Sequence, residues 1–145
     1  MNRIAVILIV LFSSIVYSSP KSGDDSNKKN NAELIEQLVP MVISIMQGND
    51  ITEFRDNISP EAYVINNNRY ESIFEVLGNH SKKEKFVEGK EIKVGFVRLW
   101  LPDNQKEAYM VIETKSEENT KTSWHTILFR NGGNNKWQIL SWHKS

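Results

Sequence analysis

The chain predicts an α+β fold, with three N-terminal helices packed on a strongly curved antiparallel sheet. The expected order is helix, helix, short strand, helix, four strands. Two observations predict the class. Apolar residues recur at helical spacing as far as Leu77, and from Lys90 onward the period switches to two. Helices first and an antiparallel meander after is the α+β pattern. A third observation predicts the shape. All four late strands carry apolar or aromatic residues on both faces, whereas a sheet covered on one side alone should be polar on the other. Either the sheet curls around a core, or its outer face packs against a second subunit.

Each element has its own signal. Asn31 is a good N-cap for a helix over Ala32 to Gln47, where Leu34, Leu38, Met41, Val42 and Ile45 form an apolar stripe. Pro40 should kink this helix, and Gly48-Asn49 should stop it. Asp50 caps a second, short helix to Asn57, with Ile51 and Phe54 inward and Ser59-Pro60 as its break. Glu61 to Ile65 alternates as a short strand, and Asn66-Asn67-Asn68 reads as a turn. Tyr70, Ile73, Phe74 and Leu77 lie at helical spacing. The four late strands follow: Lys90 to Leu101, Glu107 to Lys115, Thr122 to Arg130 and Lys136 to Lys144, with a hairpin at Asn131-Gly132-Gly133-Asn134. Simple alternation puts Phe96, Arg98 and Trp100 with Ile92 and Val94. In the last strand it puts Trp137, Ile139, Ser141 and His143 on one face and Leu140 and Trp142 on the other.

The N-terminus has the plan of an export signal. Arg3 is the charged region, Ile4 to Phe12 is apolar, and Ser13 to Ser18 is small and polar. Cleavage is expected after Ser18. Ile4 to Tyr17 is about 14 residues, short of the roughly 20 that a membrane helix needs. The expected division is a signal peptide over 1–18, a disordered tether over 19–31 and one folded domain over 32–145. Tether composition, Ser, Lys, Asp, Asn and Gly, cannot bury surface. The expected location is secreted or periplasmic, with no membrane attachment once the signal is removed. The chain has no cysteine, which excludes both a lipid-modified N-terminal cysteine and disulfides. About 127 residues remain after cleavage, enough for one domain. Lys and Arg number 18 and Asp and Glu number 18, so no basic excess exists to hold a nucleic acid.

The last two strands carry a further signal: Trp124-His125, Arg130-Asn131-Gly132-Gly133, Trp137-Gln138-Ile139 and His143-Lys144-Ser145. This ending is similar to that of the nuclear transport factor two superfamily, a glycine hairpin, Trp-x-Ile or Trp-x-Val, then His-x-Ser. Helices followed by a long curved sheet resemble the same superfamily's cystatin-like cone fold. It includes SnoaL-like proteins, ketosteroid isomerases and the association domain of the calcium/calmodulin-dependent kinase. The resemblance implies a funnel-shaped pocket between the concave sheet face and the helices. Members use it for isomerisation, cyclisation, dehydration or ligand binding, so the fold alone names no reaction.

Candidate chemistry is sparse. His143, read with Trp137 and Ile139, is a candidate pocket acid/base or ligand donor, or else a structural histidine bonded to a neighbour. Tyr63 and Tyr109 are candidate hydrogen-bond donors, or core aromatics. Arg98 either anchors a weakly anionic ligand or pairs with Glu113 across the sheet, and Glu113 is also a candidate pocket carboxylate. Trp137 is a candidate pocket wall. His125 reads as structural or as part of an interface, and His80 as solvated in a polar run. Three histidines without ligand spacing and no cysteine predict no metal site, and no cofactor signature is present. The expected function is a non-enzymatic exported domain that binds a small apolar or weakly anionic molecule or acts by self-assembly, as a homodimer through the outer sheet face. The alternative is a cofactor-free isomerase, cyclase or dehydratase that uses a pocket histidine with a tyrosine or carboxylate. Asn57-Ile58-Ser59 and Asn79-His80-Ser81 match the glycosylation pattern.

Overall fold

The computed structural model describes residues 25–66, 68–102, 105–116, 122–134 and 136–145. The expected signal peptide, the first part of the tether (19–24) and the polar turn after Ser116 lie outside them. The chain begins with helix α1, Asp25–Met46. The helix therefore starts before Asn31 and takes in residues expected to be tether. No Gly or Pro stands between Gly23 and Pro40, so extending the helix backward meets no breaker. It ends at Gly48, whose φ of 76° is the left-handed conformation that closes a helix. A 3-10 helix follows at Ile51–Asn57, capped as expected by Asp50, whose carboxylate accepts from Thr52 N at 2.9 Å.

Strand β1 is Ile58–Asn66 and strand β2 is Arg69–Ser72. Ser59-Pro60 thus lies inside β1 and does not merely end the preceding helix. It falls where the register with β6 (Trp137–Lys144) is irregular, a place where a missing backbone donor is tolerated. Tyr70 was expected in a helix but belongs to β2. The helix is confined to α2, Ile73–Gly78, with Ile73, Val76 and Leu77 buried. A further helix, α3, His80–Phe86, occupies the polar run around His80, where no element was expected. Asn79 starts it by accepting from Lys82 N at 3.1 Å, and Phe86 is its buried anchor. One apolar residue leaves no periodic signal, and so the sequence hides this helix.

The remaining strands are β3, Ile92–Trp100, β4, Glu107–Ser116, and β5, Thr122–Asn131, followed by β6. All six form one sheet in the order β2-β1-β6-β5-β4-β3. The meander is antiparallel as expected, but β1 joins β6 in parallel. One face carries the core: α1 packs Leu38, Val42, Ile45 and Met46 with Met110, Ile112, Ile127, Phe129, Ile139 and Trp142, all buried. The other face is the outer one.

Two bulges decide which side chains reach which face. In β3 the register slips between Val94 and Phe96 at Gly95. Ile92 and Val94 therefore share the inner face with Val97 and Leu99, while Phe96, Arg98 and Trp100 turn outward. In β6 Ile139 pairs with Phe129 and Ser141 with Leu128, which leaves Leu140 as an extra residue. Trp142 then joins Trp137 and Ile139 inside, and Ser141 and His143 go out. Strict alternation misplaces both groups, because one inserted residue inverts every later side chain.

Candidate functional site

The inner face is polar at one end. Thr114 and Ser116 of β4, Ser123 and His125 of β5 and Lys144 of β6 point inward there by register. Glu88, just after α3, reaches in among them. Its loop is pinned on both sides: Glu88 N donates to Met46 O at 2.8 Å and Gln47 Nε2 to Lys90 O at 2.8 Å. Lys144 Nζ donates to Phe86 O at 3.0 Å and pairs with Glu88 Oε1 at 3.1 Å.

Glu88 and His125 form the centre of this cluster. His125 is 0% exposed and Glu88 9%. Trp142 Nε1 donates to His125 Nδ1 at 3.0 Å. Nδ1 is therefore the acceptor, so the ring hydrogen of the neutral imidazole is on Nε2. Nε2 lies 3.1 Å from Glu88 Oε1 and 3.2 Å from Thr114 Oγ1. Thr114 Oγ1 makes a short hydrogen bond to Glu88 Oε2. Burial pushes the Glu88 carboxyl up. The hydrogen bonds from His125, Thr114 and Ser123 more than offset this and hold it well below the usual carboxylate range. Phe86 and His125 each meet the Trp142 ring edge to face, at 5.1 and 5.9 Å.

A general base needs a pKa near the working pH and a free acceptor toward substrate. Glu88 has neither, and both nitrogens of His125 are engaged. The cluster is built as a lock that joins α3, the sheet and the last strand. Ser116 Oγ is the one buried hydroxyl beside it with no partner among the described residues.

The sequence-predicted residues do not converge on this end. Trp137 is buried on the inner face. Tyr63, Arg98, Tyr109, Glu113 and His143 all lie on the outer face by register. His143 is exposed between Ile65 and Thr126, so it cannot share a pocket with Trp137. Tyr63 stacks obliquely on Tyr70, with centroids 5.4 Å apart. Tyr109 donates its hydroxyl to Glu107 at 3.2 Å, which raises the Tyr109 pKa. Glu88 was missed by sequence reading. It lies in a polar stretch, and its partners come from strands 26 and 37 residues away. Among the described residues no group of three His, Cys, Asp or Glu side chains is placed to hold a metal ion.

The outer face is the second candidate site. Trp100, Trp124 and Tyr109 are 68%, 42% and 38% exposed, far more than large aromatics in a finished core. They form two clusters across strands, Phe96 with Trp124 at 6.0 Å and Trp100 with Tyr109 at 6.1 Å. Half-buried Val111 and Leu128 belong to the same face.

No family model matches the chain, and no curated protein does. Solved structures do match. A ketosteroid isomerase candidate from Parabacteroides distasonis is 14% identical, with a TM-score of 0.59 over 76% of this chain and 85% of that chain. A nuclear transport factor 2-like superfamily protein from Salmonella enterica is 16% identical, with a TM-score of 0.58 over 82% of this chain and 92% of that chain. The calcium/calmodulin-dependent kinase II hub of S. rosetta also matches, at 11% identity over 88% of this chain and 98% of that chain. Its TM-score of 0.49 is too low to carry an argument. The likeness is one of fold: this chain is an α+β domain of the nuclear transport factor 2-like cone type.

Proposed function

We propose that the chain is an exported, non-catalytic cone-fold domain that acts by joining a second copy of itself through the outer sheet face. The carrying observation is the aromatic outer face, with Trp100, Trp124 and Tyr109 left in solvent. Contiguous exposed apolar surface on a small domain marks an interaction site. Its extent across β3, β4 and β5 suits a flat, isologous contact. Export rests on the charged, apolar and small-polar order of residues 1–18. Light scattering across a concentration series tests the assembly. A dimer that dissociates on Trp124→Asp is expected, and a wild-type monomer at high micromolar concentration overturns it. N-terminal sequencing of the mature protein tests export, with Ser19 as the expected first residue.

A second reading has an observation of its own. A carboxylate, an imidazole and a hydroxyl meet inside the fold at Glu88, His125 and Thr114, the residue types a cofactor-free isomerase or dehydratase would use. Their mutual hydrogen bonds favour the structural role. Turnover of a small ketone or hydroxy compound that is lost in Glu88→Gln, with the fold intact, would reverse that preference.

A further inference from the structure

Strand β6 comes after every other element of the domain in chain order, yet it lies inside the sheet, with β1 on one side and β5 on the other. Without it the sheet is two pieces, the ribbon of β1 and β2 and the meander of β3, β4 and β5. A two-stranded ribbon is marginal on its own. The 3-10 helix, α3 and the Glu88 loop are tied to the same strand. Asn57 Nδ2 donates to Trp137 O at 3.3 Å and Gln138 Nε2 to Asp56 O at 3.0 Å, contacts between residues 80 and 82 apart in the chain. Trp142 meets the ring of Phe86 edge to face and donates to His125 of β5. Lys144 holds both Phe86 O and Glu88. Trp137, Ile139 and Trp142 are part of the core that α1 covers.

The segments made before β6 therefore have neither a continuous sheet nor a closed core. Two strand edges, of β1 and of β5, stay open. Apolar burial is what offsets the entropy of ordering the chain, and a domain of this size has little to spare. The pairing of β1 with β6 joins distant segments, so its closure entropy is met only when the last strand arrives. We propose that β6 is a closing strap: the domain holds no native fold until this strand inserts between β1 and β5, and it closes in one step when the strand does. The general secretory channel passes a chain only while it is unfolded. A strap that is the last element of the domain to be made keeps the precursor open for that passage. This consequence rests on the export reading, whereas the strap itself does not.

The test starts from the full chain, folded, with a protease site inserted between Gly132 and Gly133, both exposed in the hairpin loop. After cleavage, the peptide from Gly133 to Ser145 is removed in denaturant. The large fragment should then show no cooperative unfolding transition and no protease resistance, and return of the peptide should restore both. A returned peptide carrying Ile139→Asp or Trp142→Ala should bind at least about a hundredfold more weakly. A large fragment that unfolds cooperatively by itself overturns the strap. So does a returned peptide that restores nothing, or a Trp142→Ala peptide that binds as well as the native one. The export consequence is read separately, with membrane vesicles that carry the secretory channel. The large fragment with residues 1–18 attached should enter them, and prior addition of the peptide should stop it. Entry that the peptide does not slow overturns the consequence and leaves the strap standing. If neither this fragment nor the unfolded full chain enters, the export reading falls and the strap is untouched.

Discussion

Trp142 donates its indole N–H to Nδ1 of His125 at 3.0 Å, and so decides which nitrogen of a fully buried imidazole carries the hydrogen. The other nitrogen then faces Glu88, and the carboxylate closes a path from the last strand to the loop after α3. The bulge at Leu140 makes this possible. Without it Trp142 would point to the outer face, and His125 would lack its donor. Sequence, register and electrostatics are linked here through one inserted residue.

His125→Ala should be among the most destabilising single changes in the domain. It leaves Glu88 buried with fewer donors and the Trp142 indole without an acceptor. Leaving a buried ionised carboxylate short of a donor costs about 1–3 kcal/mol or more, and the space left by the ring adds to it. Chemical denaturation should show that loss. Glu88→Gln, which keeps one acceptor oxygen, should cost less. If His125→Ala costs under 1 kcal/mol, the cluster is not the lock described.

The pH dependence of stability has a definite sign. The folded-state Glu88 carboxyl lies below its usual 4.5. A depressed carboxyl contributes stability that is fully present above the unfolded value and is lost as pH falls through the folded one. Glu88 should therefore add to stability at neutral pH, and the loss should begin near pH 5 and steepen below it. In Glu88→Gln the acid slope should be shallower. Equal slopes in the two proteins from pH 7 to pH 3 would remove Glu88 as its source.

The four late strands were legible almost to the residue, because alternation and turn residues are local signals. Their faces were legible only up to each bulge. Val94 and Phe96 differ by two positions yet lie on opposite sides, and nothing in the side chains announces the slip. Gly95 between them was the available hint, since a glycine inside a strand pattern often marks a bulge. The same blindness moved His143 into an expected pocket and Trp142 out of the core. The parallel pairing of β1 with β6 was invisible because it joins segments at the two ends of the domain. Glu88 was unreadable for the same reason: its surroundings exist only after the sheet has formed.

Two glycines should respond oppositely to alanine. At Gly48 the φ of 76° strains any side chain, and a Cβ would stand 3.3 Å from Val87 Cγ1. Gly48→Ala should cost about 1–2 kcal/mol. At Gly95 the obstructing atom is the free end of Glu113, which can swing away. Gly95→Ala should cost under about 1 kcal/mol while displacing the Glu113 carboxylate. Thermal melts of the two variants give the comparison, and a larger loss at Gly95 would show that Glu113 is held in place.

His143→Ala should change stability by no more than about 0.5 kcal/mol, as expected for an exposed side chain without a buried partner. Trp137→Ala, on the inner face of the same strand, should cost about 3–5 kcal/mol. The contrast checks the face assignment at both ends of β6. A costly His143→Ala would return the histidine to the interior.

Deletions in β6 test the bulge itself. With Leu140 removed, Trp137, Ile139 and Trp142 fall on one face by plain alternation, while Ser141 and His143 stay on the other. The chain should still fold, losing the half-buried Leu140 side chain and some local bend, at about 1–3 kcal/mol. Removing Gln138 instead puts Trp137 and Ile139 on opposite faces, so one of two fully packed side chains must leave the core. That deletion should abolish cooperative unfolding or cost more than about 4 kcal/mol. Tryptophan emission reads the result directly: close to that of the wild type for the Leu140 deletion, red-shifted from it for the Gln138 deletion. If removing Leu140 is as damaging as removing Gln138, the extra residue is not at 140, and the placement of Trp142 against His125 needs another cause.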